Sequence, residues 1–75
     1  MKVQLPLSAR DQELLSQAAS LFSQGRYDRT IALAAELGAR HPRLQLVHKL
    51  HGCALQLAGR SEEAVAALRI AVRLA

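Results

Sequence analysis

The stretch LAGRSEEAVAALRIA, residues 57–71, leaves two classes of function open. It predicts the end of one helix, a turn at Gly59 and a second helix capped by Ser61, with two glutamates in its first turn. A DNA-reading helix-turn-helix has this order of elements. So does the elbow within one unit of a helical repeat that binds proteins. The rest of the chain has to decide between them.

The composition favours an all-α fold. The 75 residues are 51% hydrophobic but only 3% aromatic, so the core is expected to consist mainly of Leu and Ala, both strong helix formers. One cysteine cannot form an internal disulfide, which fits a reducing compartment and predicts a cytoplasmic location. The N-terminal MKVQLPLSAR lacks the apolar run of a secretory signal. Nowhere does the chain approach the ~20 apolar residues of a membrane span.

Apolar residues recur at helical spacing in four segments that Gly and Pro separate. Ser8 and Asp11 form an acidic variant of the capping box. The second helix must end before Pro42, because a proline disfavours the helical conformation of the residue before it, here His41. Gly59 follows the third segment. The four helices are expected to begin at Ser8, near Asp28, about Arg43 and at Ser61. Asp28 is expected to cap the second helix, as an acid at its positive end. The short turns between them require neighbouring helices to run antiparallel.

The two halves of the chain align without a gap. Residues 21–41 superpose on the last 21 residues so that Gly25 pairs with Gly59 and Ile31 with Val65. The period is 59 − 25 = 34 residues, the length of a two-helix tetratricopeptide (TPR) unit. The sequence resembles the TPR family over residues 11–75.

The resemblance implies two tandem helix-turn-helix hairpins, a fragment of a right-handed α-solenoid with four antiparallel helices. It divides a single domain, residues 1–75, into a leader 1–10, unit one 11–44 and unit two 45–75. The small residue that the family has in its first helix falls on Ala18 and Gly52. The closing proline falls on Pro42. The positions that depart from the family pattern are Gln17, Thr30, Leu37, His48 and His51.

His48, His51 and Cys53 lie close together in the sequence and suggest a metal site. However, no carboxylate occurs between Glu36 and Glu62, and Cys53 is rotated off the line that joins the histidines. We interpret the histidines as half-buried structural groups and Cys53 as a small buried hydrophobe. No catalytic triad, phosphate loop or paired carboxylates occur, so we expect no enzyme activity, no metal and no cofactor.

The resemblance also implies that the first helix of each unit lines a concave groove. This groove is largely apolar, with Lys49 as its only charge, and suits a helix or extended peptide that carries an acid. The candidates are Gln12, Leu15, Ala19 and Phe22 from unit one and Leu46, Lys49, Cys53 and Gln56 from unit two. In addition, a basic strip is either a solvated surface or a contact for an acidic partner. Its members are Arg40, Arg43, Lys49 and Arg60.

The last helix is apolar on more than one face, although helical arrays usually end in a polar capping helix. Either the chain is the N-terminal piece of a longer array, or another subunit covers this surface. We therefore expect self-association through Val65, Leu68 and Val72.

The predicted function is a protein–protein interaction module that docks a protein or peptide or forms a homo-oligomer, with no membrane partner. The alternative is a small helix-turn-helix regulator that binds nucleic acid through the basic middle of the chain and the second elbow. A net charge of +4 permits an acidic partner without requiring one. The last helix disfavours the alternative, because only Arg69 and Arg73 follow its acidic first turn.

Overall fold

The computed structural model describes residues 7–75, which form four α-helices and, within that range, no strand. The helices are α1 (Ala9–Ser23), α2 (Tyr27–Arg40), α3 (Gln45–Leu57) and α4 (Ser61–Arg73). Each helix contacts the next one along the chain, and α1 also contacts α3. The predicted all-α class, with four helices packed in tandem, is confirmed.

The start of α1 agrees with the sequence prediction. The Ser8 hydroxyl accepts a hydrogen bond from the backbone N–H of Asp11 at 3.1 Å and caps the helix. The helix begins at Ala9, so its first two residues lie within the segment 1–10 that precedes unit one. The first six leader residues lie outside the described part of the chain.

The predicted caps of α2 and α4 are wrong. Arg26 and Arg60 occupy the N-cap positions and make no side-chain cap bond, whereas Asp28 and Ser61 are already helical. The cause is the turn that precedes each helix. The glycine of each turn has a positive φ, and the N–H of the next residue donates to the backbone carbonyl five residues earlier. The turn is therefore so tight that only one residue separates the glycine from the following helix.

The two elbows have the same backbone hydrogen bonds. Arg26 N–H donates to Leu21 C=O at 2.9 Å, and Arg60 N–H donates to Leu55 C=O at 2.8 Å. The glycine between each pair, with φ near +80° (79° in one elbow and 82° in the other), is in a conformation that other residues rarely adopt. The predicted repeat therefore extends to the geometry of its turns.

The turn between the two hairpins contains Pro42. As predicted, α2 stops at Arg40, before the residue that precedes the proline. The next helix begins at Gln45, about two residues later than expected, because Leu44 is still extended (φ −87°, ψ 101°) and serves as its N-cap. It ends two residues before Gly59.

A small aliphatic core joins the helices. A cluster of buried residues from α2, α3 and α4 includes Ile31, Leu55 and Ala64, with Phe22 of α1 packed against it. The helices α3 and α4 approach closely at Gly52, where an added Cβ would lie 2.5 Å from Leu68 Cγ. None of the four helices is long and apolar enough to cross a membrane.

Candidate protein-interaction surfaces

The two hairpins differ in what covers their second helix. Ile31 of α2 is only 8% exposed and packs with the buried residues of α3, whereas the equivalent Val65 of α4 is 53% exposed. Seven residues further along α2, about two turns, a Cβ on Gly38 would meet Val47 of α3 at 3.6 Å. The equivalent Val72 is 73% exposed. Thus α4 repeats a packing face of α2, but no element within residues 7–75 covers it.

This exposed face, the α4 outer face, consists of Val65, Leu68 and Val72. Spacings of three and four residues place them in one stripe along the helix. The three members differ in their exposure to solvent. Leu68 is partly buried because its side chain lies against Gly52, whereas both valines are exposed. The structure therefore places two of the three predicted self-association residues in solvent and anchors the third against α3.

Charged side chains flank the α4 outer face. Glu62, Arg69 and Arg73 are all exposed, and helical spacing places them on one side of the stripe. Glu63 lies on the far side of α4 from the stripe and forms an ion pair with Arg60 at 2.8 Å. The exposed apolar stripe thus has a charged flank on its solvent side, as protein-interaction patches commonly have polar borders.

The eight groove candidates come from α1 and α3, which contact each other. Leu15, Phe22 and Cys53 are partly exposed, and the other five are exposed. Phe22 is held by an edge-to-face contact with Tyr27, whose ring centroid is 5.7 Å away. Every candidate is therefore accessible to a partner, although the predicted groove contains no buried polar side chain that would select a ligand.

The predicted basic strip is interrupted by ion pairs. Arg40 donates to Glu36 at 3.1 Å and to Asp11 at 2.9 Å, and Arg60 pairs with Glu63. The remaining members, Arg43 and Lys49, make no ion pair with the described residues. Two of the four cations are thus largely neutralised, which favours the interpretation of a solvated surface.

The carboxylate of Asp11 links two helix ends. It is 9% exposed and accepts hydrogen bonds from His41 Nε2 at 2.7 Å and from Arg40 Nη2 at 2.9 Å. A carboxylate only accepts, so Nε2 of His41 carries the proton. The sequence interpretation missed this role and assigned Asp11 only to the cap of α1. The partners lie 29 and 30 residues away, and no local pattern connects them.

These contacts change the ionisation of Asp11. The hydrogen bond from His41 and the nearby guanidinium of Arg40 hold the pKa of Asp11 below its ordinary value of 3.8, against the opposing effect of burial. Because the folded-state pKa is lowered, the contribution of Asp11 to stability is complete above pH ~4. It is lost as the pH falls through the lowered value.

We expect Asp11→Asn to lower the free energy of unfolding at neutral pH, because the amide cannot replace the charge. Below the ordinary carboxyl pKa of 3.8, the difference between the variant and the wild type should shrink. Chemical denaturation followed by circular dichroism at neutral pH and at about pH 3 measures both effects. The matched control is Glu13→Gln, an exposed carboxyl on the same helix. Equal acid sensitivity in wild type and Asp11→Asn would refute the assignment.

The two histidines of α3 differ in burial and in contacts. His48 is buried, and its Nε2 donates to the Pro42 carbonyl oxygen at 2.8 Å, which ties α3 to the preceding turn. His51 is half-buried, and burial, followed by the nearby His48, lowers its pKa. Within the described residues, no group of three His, Cys, Asp or Glu side chains is placed to hold a metal ion.

The geometry thus presents three surfaces: the α4 outer face, the α1–α3 surface and the interrupted basic strip. Comparison of the chain with protein-family models, with curated proteins and with solved structures finds no match.

Proposed function

We propose that the chain is a protein–protein interaction module, built as a TPR-like pair of helical hairpins, and that the α4 outer face is its docking surface. One observation carries this proposal. The same face is covered by α3 in the first hairpin and exposed in the second, as the equivalent residues Ile31 (8% exposed) and Val65 (53%) show. The surface is therefore already shaped to receive a helix.

The energetics of burial support the same conclusion. Fully burying a Val or Leu side chain stabilises a complex by roughly 1.5–3 kcal/mol. The α4 outer face offers Val65 and Val72, together with the exposed part of Leu68. A helix that packed here as α3 packs on α2 would bury this stripe, while the charged flank would remain in solvent.

The chemistry of α4 is less suited to reading DNA. Base-edge recognition requires polar side chains along the exposed face of the helix. Here that face carries two valines, and Glu62 at its start would approach phosphate groups with the wrong charge. We therefore prefer a protein partner to a nucleic acid.

A chain extended by one unit tests the docking surface directly. Because the repeat has no gap, a second copy of residues 42–75 can follow Ala75 in register. In such arrays each unit adds its own stability and that of its contact with the neighbour. We expect the extended chain to unfold in one transition with a higher free energy of unfolding and a larger denaturant dependence.

The extended chain also permits a matched comparison. Val65→Glu together with Val72→Glu in the middle unit should remove the gain, since both glutamates would be buried without a partner. Ala66 is exposed and lies away from the α4 outer face, so Ala66→Glu should leave the gain in the free energy of unfolding unchanged. Independent unfolding of the added unit, or a gain that survives the double substitution, would contradict the proposed docking surface.

A further inference from the structure

We infer that the partner on the α4 outer face is a second copy of this chain, bound so that the two α4 helices pack antiparallel about a two-fold axis. This inference rests on the proposed function and specifies its partner. It follows from two observations: the polarity of the opposite end of the molecule and the order of the charges along α4.

A second copy cannot cover α4 in the way that α3 covers α2. In such head-to-tail stacking, α1 of the second copy would pack on α4, because α1 is the element of the repeat that is equivalent to α3. Val47 and Ala54 of α3 are almost fully buried and contact α2 or its core cluster. Their equivalents in α1 are Glu13 and Ser20, both exposed and polar. Head-to-tail stacking would therefore bury a glutamate against an apolar stripe, at a large desolvation cost.

The charges beside the stripe fit an antiparallel pair. Glu62 and Arg73 are 11 residues apart, about three helical turns, so they lie on the same flank at opposite ends of α4. If Val65 of one copy lies opposite Val72 of the other, Glu62 of each copy comes next to Arg73 of its mate. Two-fold symmetry repeats this pair at both ends. A parallel pair would instead place the charged flanks of the two copies on opposite sides of the interface, with Glu62 at the level of Glu62 and Arg73 at the level of Arg73, so this ion pair could not form.

The centre of the arrangement also has suitable groups. Leu68 falls at the two-fold axis, where its contact with Gly52 holds the side chain in place. Arg69 lies beside the axis on the charged flank and comes near Arg69 of the mate, but its long side chain is exposed, so the two like charges can stay apart in solvent. The interface would then contain a continuous apolar stripe with two ion pairs at its ends, an arrangement known from antiparallel helix pairs.

Molar mass in solution, measured by light scattering over a range of concentrations, tests whether the partner is a second copy. The full-length wild type should have twice the mass of the 8.2 kDa chain, and Val72→Glu should have the mass of the monomer. Leu46→Glu is the matched control, because Leu46 is 53% exposed on α3, away from α4. Leu68 is unsuited to this test, since it also packs inside the fold.

Charge reversal tests the antiparallel order. Glu62→Arg and Arg73→Glu should each weaken the dimer about tenfold or more, because each one places like charges together at both ends. An equimolar mixture of the two single variants should recover the dimer, and so should the double variant. Glu13→Arg and Arg29→Glu, at exposed positions of α1 and α2, are the controls for net charge.

The outcomes separate this inference from the proposed function. A wild type that stays monomeric overturns the inference, while a stabilised extended chain would still support the docking surface. If Leu46→Glu dissociates the dimer and Val72→Glu does not, the second copy binds the α1–α3 surface and the inference is wrong. If Val72→Glu dissociates the dimer but the charge reversals at Glu62 and Arg73 have no effect, the antiparallel order is refuted.

Discussion

Gly52→Ala is expected to destabilise the protein, although alanine is the better helix former. The added Cβ would lie 2.5 Å from Leu68 Cγ and 3.2 Å from the Leu68 backbone nitrogen. A change of the Leu68 rotamer cannot relieve the contact with the backbone nitrogen, so α4 must move away from α3. Overpacking of this kind costs about 1–3 kcal/mol, more than the gain in helix propensity of up to ~1 kcal/mol.

The matched control is Gly38→Ala, for which we expect the opposite sign. The new Cβ would meet His48 Cε1 at 3.4 Å and a methyl group of Val47 at 3.6 Å, which are ordinary contacts. Only the gain in helix propensity remains, so the free energy of unfolding should rise by up to ~1 kcal/mol. Urea denaturation of both variants measures the sign of each change in the free energy of unfolding. A stabilising Gly52→Ala would contradict the close approach of α3 and α4.

A double variant shows whether Leu68 is the cause. Leu68→Ala removes the atoms nearest to the new Cβ, so in that background Gly52→Ala should cost less than it does in the wild type. Additive effects of the two substitutions would mean that the strain lies elsewhere. Gly52→Val should be worse than Gly52→Ala in the wild type, since valine adds bulk and lacks the helix propensity of alanine.

Features that depend on local chain geometry could be predicted from the sequence. Gly25 and Gly59 mark the two elbows because only glycine readily takes their positive φ, and Pro42 ends α2 because it restricts the residue before it. The 34-residue period then places α3 and α4 without further information. The caps at Asp28 and Ser61 were wrong because the position of a cap depends on how tightly the preceding turn closes.

Features that depend on tertiary packing could not be predicted. The contact of Asp11 with Arg40 and His41 joins residues about 30 positions apart, and a single sequence gives no signal for such a pair. The candidate docking surface was predicted in part. Helical periodicity shows that Val65, Leu68 and Val72 form a stripe, but only packing shows that Leu68 is held against α3 while both valines are exposed.

Leu37→Ala is expected to have the largest effect on stability. Leu37 is one of the largest fully buried side chains, with 0% of its surface exposed. Replacing a buried leucine by alanine costs about 2–5 kcal/mol, since it loses apolar contacts and leaves a cavity. A core of this size rarely supplies more than ~3–5 kcal/mol in total. The variant should therefore be partly or fully unfolded at room temperature.

The TPR pattern that the sequence resembles and the structure imply different outcomes at this position. The TPR pattern usually has alanine where this chain has Leu37, and the equivalent residue of unit two is Ala71, which is also buried. If the helices kept the spacing that suits alanine, Leu37→Ala would be mild. The structure instead buries the leucine completely, at 0% exposed, where unit two buries only the smaller Ala71 at 4%, so the two hairpins fill this position with different side-chain volumes.

Denaturation followed by circular dichroism decides between these outcomes, with Leu46→Ala as the control. Leu46 is 53% exposed, so the same substitution there should change the free energy of unfolding by no more than ~0.5 kcal/mol. A similarly small effect at Leu37 would mean that the interior can close around an alanine, as the family pattern implies. A large loss at Leu37 alone would show that this chain has built its own core within the spacing of the repeat.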